Sequence, residues 1–132
     1  SLESSPSAIF LAIVLKEDNR HVGNVGLHRI NYFFRTAEMG ILVGEKDCWG
    51  RGLGTQAVKL VAEHAFLRLN LNRVYAGAVK ENIGSIRIFE KAGFQREGLA
   101  RESYFCEGNY RDCIQLGFLR SDWTAMNESG AK

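Results

Sequence analysis

The chain has 132 residues, a formal net charge of +2 and 45% hydrophobic residues, which is ordinary for one globular domain over residues 1–132. The small charge and the lack of a Lys/Arg run argue against direct nucleic-acid binding. No apolar run reaches transmembrane length, and Ser1–Ser7 lacks the basic start of a signal peptide. Three cysteines without paired short spacings indicate neither a disulfide framework nor a zinc site. We therefore expect a cytoplasmic protein without a membrane partner or a metal.

The first third of the chain predicts three strands. Ala8–Lys16 is almost continuously apolar and is typical of a buried strand. His21–Ile30 alternates in part and is expected to pair with it as a hairpin. Thr36–Val43 is the third strand, and Asn31–Arg35 either continues the second strand or bends out of it. These segments together predict an antiparallel meander.

Asp47–Phe66 is the most informative stretch, because three glycines stand between a predicted strand and a predicted helix. Gly50, Gly52 and Gly54 alternate with other residues just before apolar positions that recur at helical spacing over Leu53–Leu69. A strand, a glycine turn and a helix N-terminus direct backbone N–H groups and a positive dipole end at an anion. The interpretation is a phosphate-binding turn, and a tight connection without a ligand is the alternative.

The rest of the chain predicts a crossover followed by a strand pair. Arg73–Val79 is a strand, and Asn82–Ala92 is a helix with Asn82 as its N-cap and Gly93 as its stop. The remaining predicted segments are Phe94–Gly98, Arg101–Phe105, Tyr110–Leu119 and a frayed tail over Thr124–Lys132. The order β-β-β-α-β-α-β-β predicts an α+β domain with a mixed, mostly antiparallel twisted sheet flanked by helices.

Two motifs at a fixed separation resemble one enzyme family. Trp49–Thr55 (WGRGLGT) is similar to the acetyl-CoA pyrophosphate loop of the GNAT N-acetyltransferases. Glu81–Phe94 (ENIGSIRIFEKAGF) is similar to their later asparagine, helix and Gly-Phe motif. Gln95–Gly98 and Gly108–Asp112 resemble the branch that acetylates ribosomal-protein N-termini, with its spermidine and sugar-amine relatives. The resemblance covers Ile9–Trp123 and implies the GNAT fold.

The sequence departs from the family pattern at three places. Many relatives have Gln or Arg where Trp49 stands, so its side chain has no assigned phosphate role. Many have a tyrosine that protonates the CoA thiolate where this chain has Phe89, which has no proton to donate. The family's first strand and two helices, which form one wall of the acceptor cleft, have no counterpart in this sequence. A shortened chain, or a wall supplied by a partner subunit, is expected, and a homodimer that rebuilds the sheet through its exposed edges is a further alternative.

The resemblance implies acetyl-CoA as the cosubstrate and a set of residues that bind it. The Ile41–Val43 strand is expected to splay from the Arg73–Val79 strand, so that pantetheine amides pair with exposed backbone and a backbone N–H near Val43 faces the thioester oxygen. Asn82 is expected to bind pantetheine as well as to cap its helix. The full set of expected contacts is Ile41, Leu42, Val43, Trp49, Gly50, Arg51, Gly52, Leu53, Gly54, Thr55, Asn82, Ser85 and Arg87.

Proton transfer requires an acid and a base. The resemblance assigns protonation of the thiolate to Ser85, and an ordinary helix serine is the alternative. Glu38 and Glu102 are the candidate bases, and each also fits a solvated edge charge. Tyr104 and Tyr110 are expected to line the acceptor site.

Other reactive side chains are weaker candidates. His28 and His64 fit packing or surface positions better than a base. Cys48 and Cys106 have no adjacent activating histidine and are poor nucleophiles.

The function implied by the resemblance is transfer of the acetyl group of acetyl-CoA to a primary amine, by direct attack in a ternary complex. A protein N-terminus, a polyamine or an amino sugar is the expected acceptor. A CoA-binding or regulatory module with little transferase activity is the alternative.

Overall fold

The computed structural model describes residues 7–14, 19–43 and 52–130. The described strands are β1 (Ile9–Val14), β2 (His21–Asn31), β3 (Thr36–Val43), β4 (Arg73–Val79), β5 (Gln95–Cys106) and β6 (Asn109–Leu119). The described helices are α1 (Leu53–Leu67), α2 (Ile83–Ala92) and α3 (Arg120–Gly130). The predicted element order is confirmed and is extended by α3. Within these ranges, no helix is long and apolar enough to cross a membrane.

The strands form one sheet in the order β1-β2-β3-β4-β6-β5. All neighbouring strands are antiparallel except β3 and β4, which are parallel and are connected through α1. A parallel pair needs such a crossover. The antiparallel neighbours β1–β2, β2–β3 and β5–β6 follow one another directly in the chain, whereas α2 and β5 lie between β4 and β6. The predicted mixed, mostly antiparallel α+β fold is therefore confirmed.

The hydrophobic core lies between the helices and one face of the sheet. In β4, Val74, Ala76 and Ala78 are buried in a cluster that also contains the apolar faces of α1 and α2. Because side chains alternate along a strand, Arg73 and Tyr75 belong to the opposite face. None of the described helices contributes to that face, which we call the open face.

Four phenylalanines connect the elements within the core. The Phe66 ring lies 5.5 Å from Phe118, Phe118 lies 5.2 Å from Phe94, and Phe94 lies 5.0 Å from Phe89, all between ring centroids. These rings join α1, β6 and α2 and bury large apolar areas in tilted or edge-to-face contacts. The helices are thereby fixed on the sheet.

The ends of α2 agree with the sequence. The Oδ1 atom of Asn82 accepts a hydrogen bond from the Ser85 N–H at 3.2 Å, as an N-cap does. Gly93 ends the helix with a φ of 122°. The predicted helix from Asn82 to Ala92 is thus confirmed within one residue.

The strand predicted over Ala8–Lys16 is present as β1, but the prediction that it is buried is wrong. The described strand β1 lies at an edge of the sheet, where β2 is its paired neighbour. Ile13 is buried, but Phe10 and Leu11 are exposed. An apolar run predicts burial only where other elements cover both faces of a strand, and the described elements do not cover Phe10 or Leu11.

The prediction of a frayed tail over Thr124–Lys132 is also wrong for the described residues, because α3 extends to Gly130. Asp122 accepts a hydrogen bond from the Leu119 N–H at 3.1 Å, near the start of this helix. The Trp123 ring packs 5.9 Å from the Phe66 ring. Tertiary packing of this kind stabilises helices with weak propensity.

Phe94–Gly98 and Arg101–Phe105 were predicted as two short extended pieces, but they form the single strand β5. The break expected between them is present as an irregularity in the pairing of β5 with β6, between Ala100 and Tyr104. Glu102, inside this irregularity, has a φ of 48°. A β-bulge therefore replaces a chain break.

Gly93→Ala should destabilise the fold by about 2–4 kcal/mol, because φ is strained and a Cβ there would lie 2.7 Å from the Phe118 ring. Gly108→Ala is the matched control, because its φ is also positive (78°) but no atom lies within 4 Å of the added Cβ. It should cost only about 1 kcal/mol. Urea unfolding of both variants measures the difference. Equal costs would show that Phe118 moves aside freely and would contradict the packing described above.

Candidate active site

The strands β3 and β4 pair over only three residues. Their partners are Thr36 with Arg73, Ala37 with Val74 and Glu38 with Tyr75. Beyond Glu38, β3 continues to Val43 and pairs with β2, while β4 continues to Val79 and pairs with β6. The splay predicted between these strands is confirmed, and it leaves facing backbone edges that an extended ligand can pair with.

The N-terminus of α1 is suited to an anion. Gly52 precedes the helix with a φ of 79° and, among the described residues, no side chain caps the first turn. That turn contains no acidic residue, and Gly52 O is the acceptor for the Gln56 N–H at 3.0 Å. The N–H groups of Leu53, Gly54 and Thr55 precede that first helical bond, so they have no acceptor within the helix and can donate to a ligand.

Gly54 has a role that the sequence did not reveal. An added Cβ would lie 2.7 Å from Ile88 Cδ1 and 3.4 Å from Ile41 Cδ1. Gly54 therefore allows the start of α1 to pack closely on α2 and β3. Trp49, Gly50 and Arg51 lie outside the described residues, as does the side chain of Val43.

The residues expected on α2 lie near its first turns. Ser85 is half-buried and, at three residues from Asn82, lies on the same side of the helix. Arg87 is exposed. Phe89, at the position where many relatives are expected to have a tyrosine, is buried in the aromatic core and closed to solvent.

A pocket of about 320 Å³ lies on the open face, where β3 and β4 part. It is lined by residues of five strands, from β2 to β6. Its charged and polar lining includes Arg29, Glu38, Arg73, Tyr75, Glu97, Ser103, Tyr104 and Gln115. Because Glu38 and Tyr75 form the last pair of the parallel ladder, the pocket lies beside the closed end of the gap.

Glu38 is the predicted base that the structure places in this pocket. Its Oε1 atom lies 3.5 Å from His28 Nε2 and 3.4 Å from Arg29 Nη1, and its side chain is 23% exposed. Among the described residues, no partner contacts Oε2. One oxygen is therefore oriented by neighbours while the other is available to a ligand.

Glu102 lies outside the pocket lining. It is exposed, and its backbone N–H donates to Asp112 Oδ1 at 2.8 Å within the β5 bulge. The structure thus separates the two candidate bases. Tyr104 lines the pocket, whereas Tyr110 is exposed and its ring packs 5.1 Å from Phe105.

Arg73 and Glu97 form an ion pair in the pocket that the sequence did not reveal. Arg73 donates from Nη1 and Nη2 to the two carboxylate oxygens, both at 2.7 Å. The hydrogen bond from Arg73 holds the pKa of Glu97 below its ordinary value of 4.5, against a smaller opposing effect of burial. The alternation of side chains along β4 indicates on which face of the sheet Arg73 lies. No signal in the sequence predicts its contact with Glu97, which is 24 positions away.

Tyr104 and Cys113 are neighbours on the pocket wall. The pKa of Tyr104 is raised above 10.0, first by the charge of the Cys113 thiolate form, then by burial and by Glu38. The Tyr104 hydroxyl therefore stays protonated at neutral pH. Cys113 is buried, and its thiol donates to Ile114 O at 3.5 Å.

The weaker candidates lie away from the pocket or at its edge. His28 contacts Glu38 without lining the pocket, and His64 is exposed on α1. Cys106 is exposed, and Cys48 lies outside the described residues. Across the ranges that the structure covers, no group of three or more His, Cys, Asp or Glu side chains is arranged to hold a metal ion.

Residues 2–95 match the protein family described as "Acetyltransferase (GNAT) domain". The chain belongs to the GNAT acetyltransferase family. It is 39% identical over 111 residues to the probable N-acetyltransferase YjcK of Bacillus subtilis, covering 83% of this chain and 61% of that protein. It is 34% identical over 116 residues to spermidine N(1)-acetyltransferase of Escherichia coli, covering 88% of this chain and 62% of that protein. A putative ribosomal N-acetyltransferase, YdaF of Bacillus subtilis, is 32% identical over 106 residues (80% of this chain, 57% of that protein) and fits the predicted branch.

Solved structures agree with this assignment. Spermidine N-acetyltransferase from Vibrio cholerae in complex with CoA and spermine superposes with a TM-score of 0.82 at 25% identity, covering 92% of this GNAT chain and 71% of that chain. The F149A mutant of the same enzyme gives a TM-score of 0.83 at 25% identity, covering 95% and 73%. This GNAT chain spans about three fifths of the length of the curated relatives that it matches.

The ion pair gives the GNAT domain a specific pH dependence of stability. Because folding lowers the pKa of Glu97, the pair stabilises the fold fully above about pH 4.5, and this contribution is lost as the pH falls through the lower folded pKa. Glu97→Gln should therefore reduce the free energy of unfolding at neutral pH, and the deficit should shrink below about pH 4.5.

Urea unfolding from pH 3 to pH 7 measures that deficit. In an Arg73→Gln background, Glu97→Gln should lose this pH dependence, because the carboxylate no longer has its donor. A deficit that is independent of pH, or unchanged in that background, would contradict the assigned pair.

Proposed function

We propose that this domain binds acetyl-CoA across the β3–β4 gap and transfers the acetyl group to a primary amine held in the open-face pocket. The single observation that carries the proposal is the position of the pocket. The pocket contains the Glu38 carboxylate, one oxygen of which has no partner among the described residues, and it lies beside the closed end of the β3–β4 gap. The N-terminus of α1, which no described side chain caps, lies on the other side of that gap. Similarity to enzymes named as spermidine acetyltransferases supports the same reaction class.

The residues present fit the cosubstrate. Backbone N–H groups at the start of α1, from Leu53 to Thr55, would receive the pyrophosphate. The facing edges of β3 and β4 would pair with the pantetheine amides, and Ile41–Val43 would supply the N–H that polarises the thioester. Asn82 accepts from the Ser85 N–H through Oδ1, so its Nδ2 group is the part that would donate to pantetheine.

The chemistry is direct attack. The amine nitrogen, once deprotonated, bonds to the thioester carbonyl carbon, and the carbon–sulfur bond then breaks. Glu38 would take the first proton from the acceptor ammonium, directly or through water, and Ser85 would deliver a proton to the thiolate. The second proton, which the nitrogen loses as the tetrahedral intermediate collapses, would restore the Ser85 hydroxyl through water. Phe89 is buried and has no proton to transfer, so the proton has to come from another group, and the family resemblance assigns that role to Ser85.

Gly52→Val should weaken acetyl-CoA binding by about tenfold, because valine disfavours the positive φ that directs the first N–H groups of α1. Gly108→Val is the matched control, since its φ is almost the same and its added Cβ also meets nothing within 4 Å. It should lower stability without changing the affinity. Calorimetric titration of acetyl-CoA measures both. Equal affinities for wild type and Gly52→Val would refute the phosphate assignment.

Glu38→Gln should lower kcat/KM for a productive amine by about 10²- to 10⁴-fold, which is the usual contribution of a general base. Glu102→Gln should change it by less than about threefold, because that exposed side chain does not line the pocket. Thiol release with spermidine, an amino sugar and a short peptide as acceptors measures the effect. A large loss of kcat/KM in Glu102→Gln, with little loss in Glu38→Gln, would identify Glu102 as the general base instead.

The alternative function, a CoA-binding module, makes an opposite prediction in the same assay. Tight acetyl-CoA binding without thiol release, across the whole amine panel, would support the module and contradict the transferase.

A further inference from the structure

The charged side chains that line the pocket balance one another. In the described lining, Glu38 and Glu97 carry the negative charges, and Arg29 and Arg73 carry the positive charges. Arg73 and Glu97 neutralise each other through two short hydrogen bonds. Glu38 is paired with Arg29, whose Nη1 atom lies 3.4 Å from Oε1, and the same oxygen lies 3.5 Å from His28 Nε2. The pocket is therefore close to electroneutral before an acceptor binds.

Arg29 reaches Glu38 because of a β-bulge. Consecutive residues of a regular strand point to opposite faces, yet His28 and Arg29 both contact the same oxygen of Glu38. Arg29 has a φ of 53°, and the β2–β3 register shifts between His28 and Asn31. Arginine tolerates a positive φ poorly, and such residues cluster at functional sites. The bulge thus directs a cation to the carboxylate of the pocket.

Arg29 is held only weakly. Its side chain is 77% exposed, and its contact with Glu38 is a single long one, unlike the bidentate pair between Arg73 and Glu97. An exposed ion pair of this kind contributes little and is easily exchanged. The charge of Arg29 also lowers the pKa of Tyr104, against the raising effects of Cys113, burial and Glu38, so its influence extends across the pocket.

We propose that Arg29 is a specificity-determining residue, which makes the pocket favour amines with one positive charge over polyamines. Arg29 stays paired with Glu38 until the ammonium group of an acceptor replaces it. The inference rests on the proposed function of this pocket as the acceptor site. A single ammonium exchanges for the guanidinium at Glu38, which then turns to solvent. A polyamine brings further ammonium groups near Arg29 and Arg73, where no unpaired carboxylate of the described lining receives them.

The test compares spermidine with 1-aminobutane. Both are primary alkylamines, but 1-aminobutane carries only one positive charge. Binding of each amine to the CoA-loaded protein is measured by calorimetry, and kcat/KM by thiol release. Arg29→Gln should tighten spermidine binding about two- to fivefold more than 1-aminobutane binding, which is the scale of one exposed ion pair. Arg29→Glu should increase the difference, and added salt should reduce it.

Two controls separate charge from structure. Arg29→Lys keeps a cation at the bulge and should behave as wild type. Arg101→Gln removes an exposed arginine that does not line the pocket and should also behave as wild type.

Equal changes for both amines, unchanged or weaker spermidine binding in Arg29→Gln, or no binding of either amine would overturn the inference. Failure of the proposed function has a different signature. A shifted binding preference in Arg29→Gln without thiol release by any variant would support the role of Arg29 and refute the transferase.

Discussion

The early end of the parallel contact between β3 and β4 is the constraint on which the site depends. The ladder stops at Glu38 and Tyr75, but neither strand is loose beyond that point, because β3 stays paired with β2 and β4 with β6. The facing edges are therefore held apart by their other neighbours. The start of α1 packs on β3 through Gly54 and Ile41, so the helix dipole points into the same region. A gap whose two edges are each paired with another strand can bind an extended ligand without first ordering its own backbone.

Two bulges shape the pocket, one in β2 and one in β5, which lie on either side of β3 and β4 in the strand order. Arg29 in β2 and Glu102 in β5 both have positive φ and both lie where the strand register breaks. The first bulge turns Arg29 toward Glu38, and beyond the second bulge Tyr104 lines the pocket. Regular strands would present these side chains in strict alternation. The two bulges therefore direct side chains that border the pocket on the open face.

Local signals in the sequence predicted the elements well, whereas long-range contacts were not predictable. The cap at Asn82 and the stop at Gly93 depend on residues within one turn, so their chemistry is readable from the chain. The helix α3 was missed because Trp123 is stabilised by Phe66, which lies far away in sequence. The same reason hides the pair of Arg73 and Glu97, and β1 was misjudged because burial depends on what covers a strand. The motifs predicted the splay, but they did not distinguish Glu38 from Glu102.

The sheet separates the two substrates of the proposed reaction. On the helix side lie the N-terminus of α1 and the first turn of α2 with Asn82 and Ser85, which suit the cosubstrate. On the open face lies the pocket with Glu38, which suits the amine. Phe89 packs against Phe94 in the core and prevents proton delivery from its own position. In the proposed reaction, the proton acceptor Glu38 and the proton donor Ser85 would lie on opposite faces of the sheet, and they would act on one acetyl group through the gap between β3 and β4. The gap is therefore a requirement of the chemistry as well as a binding site.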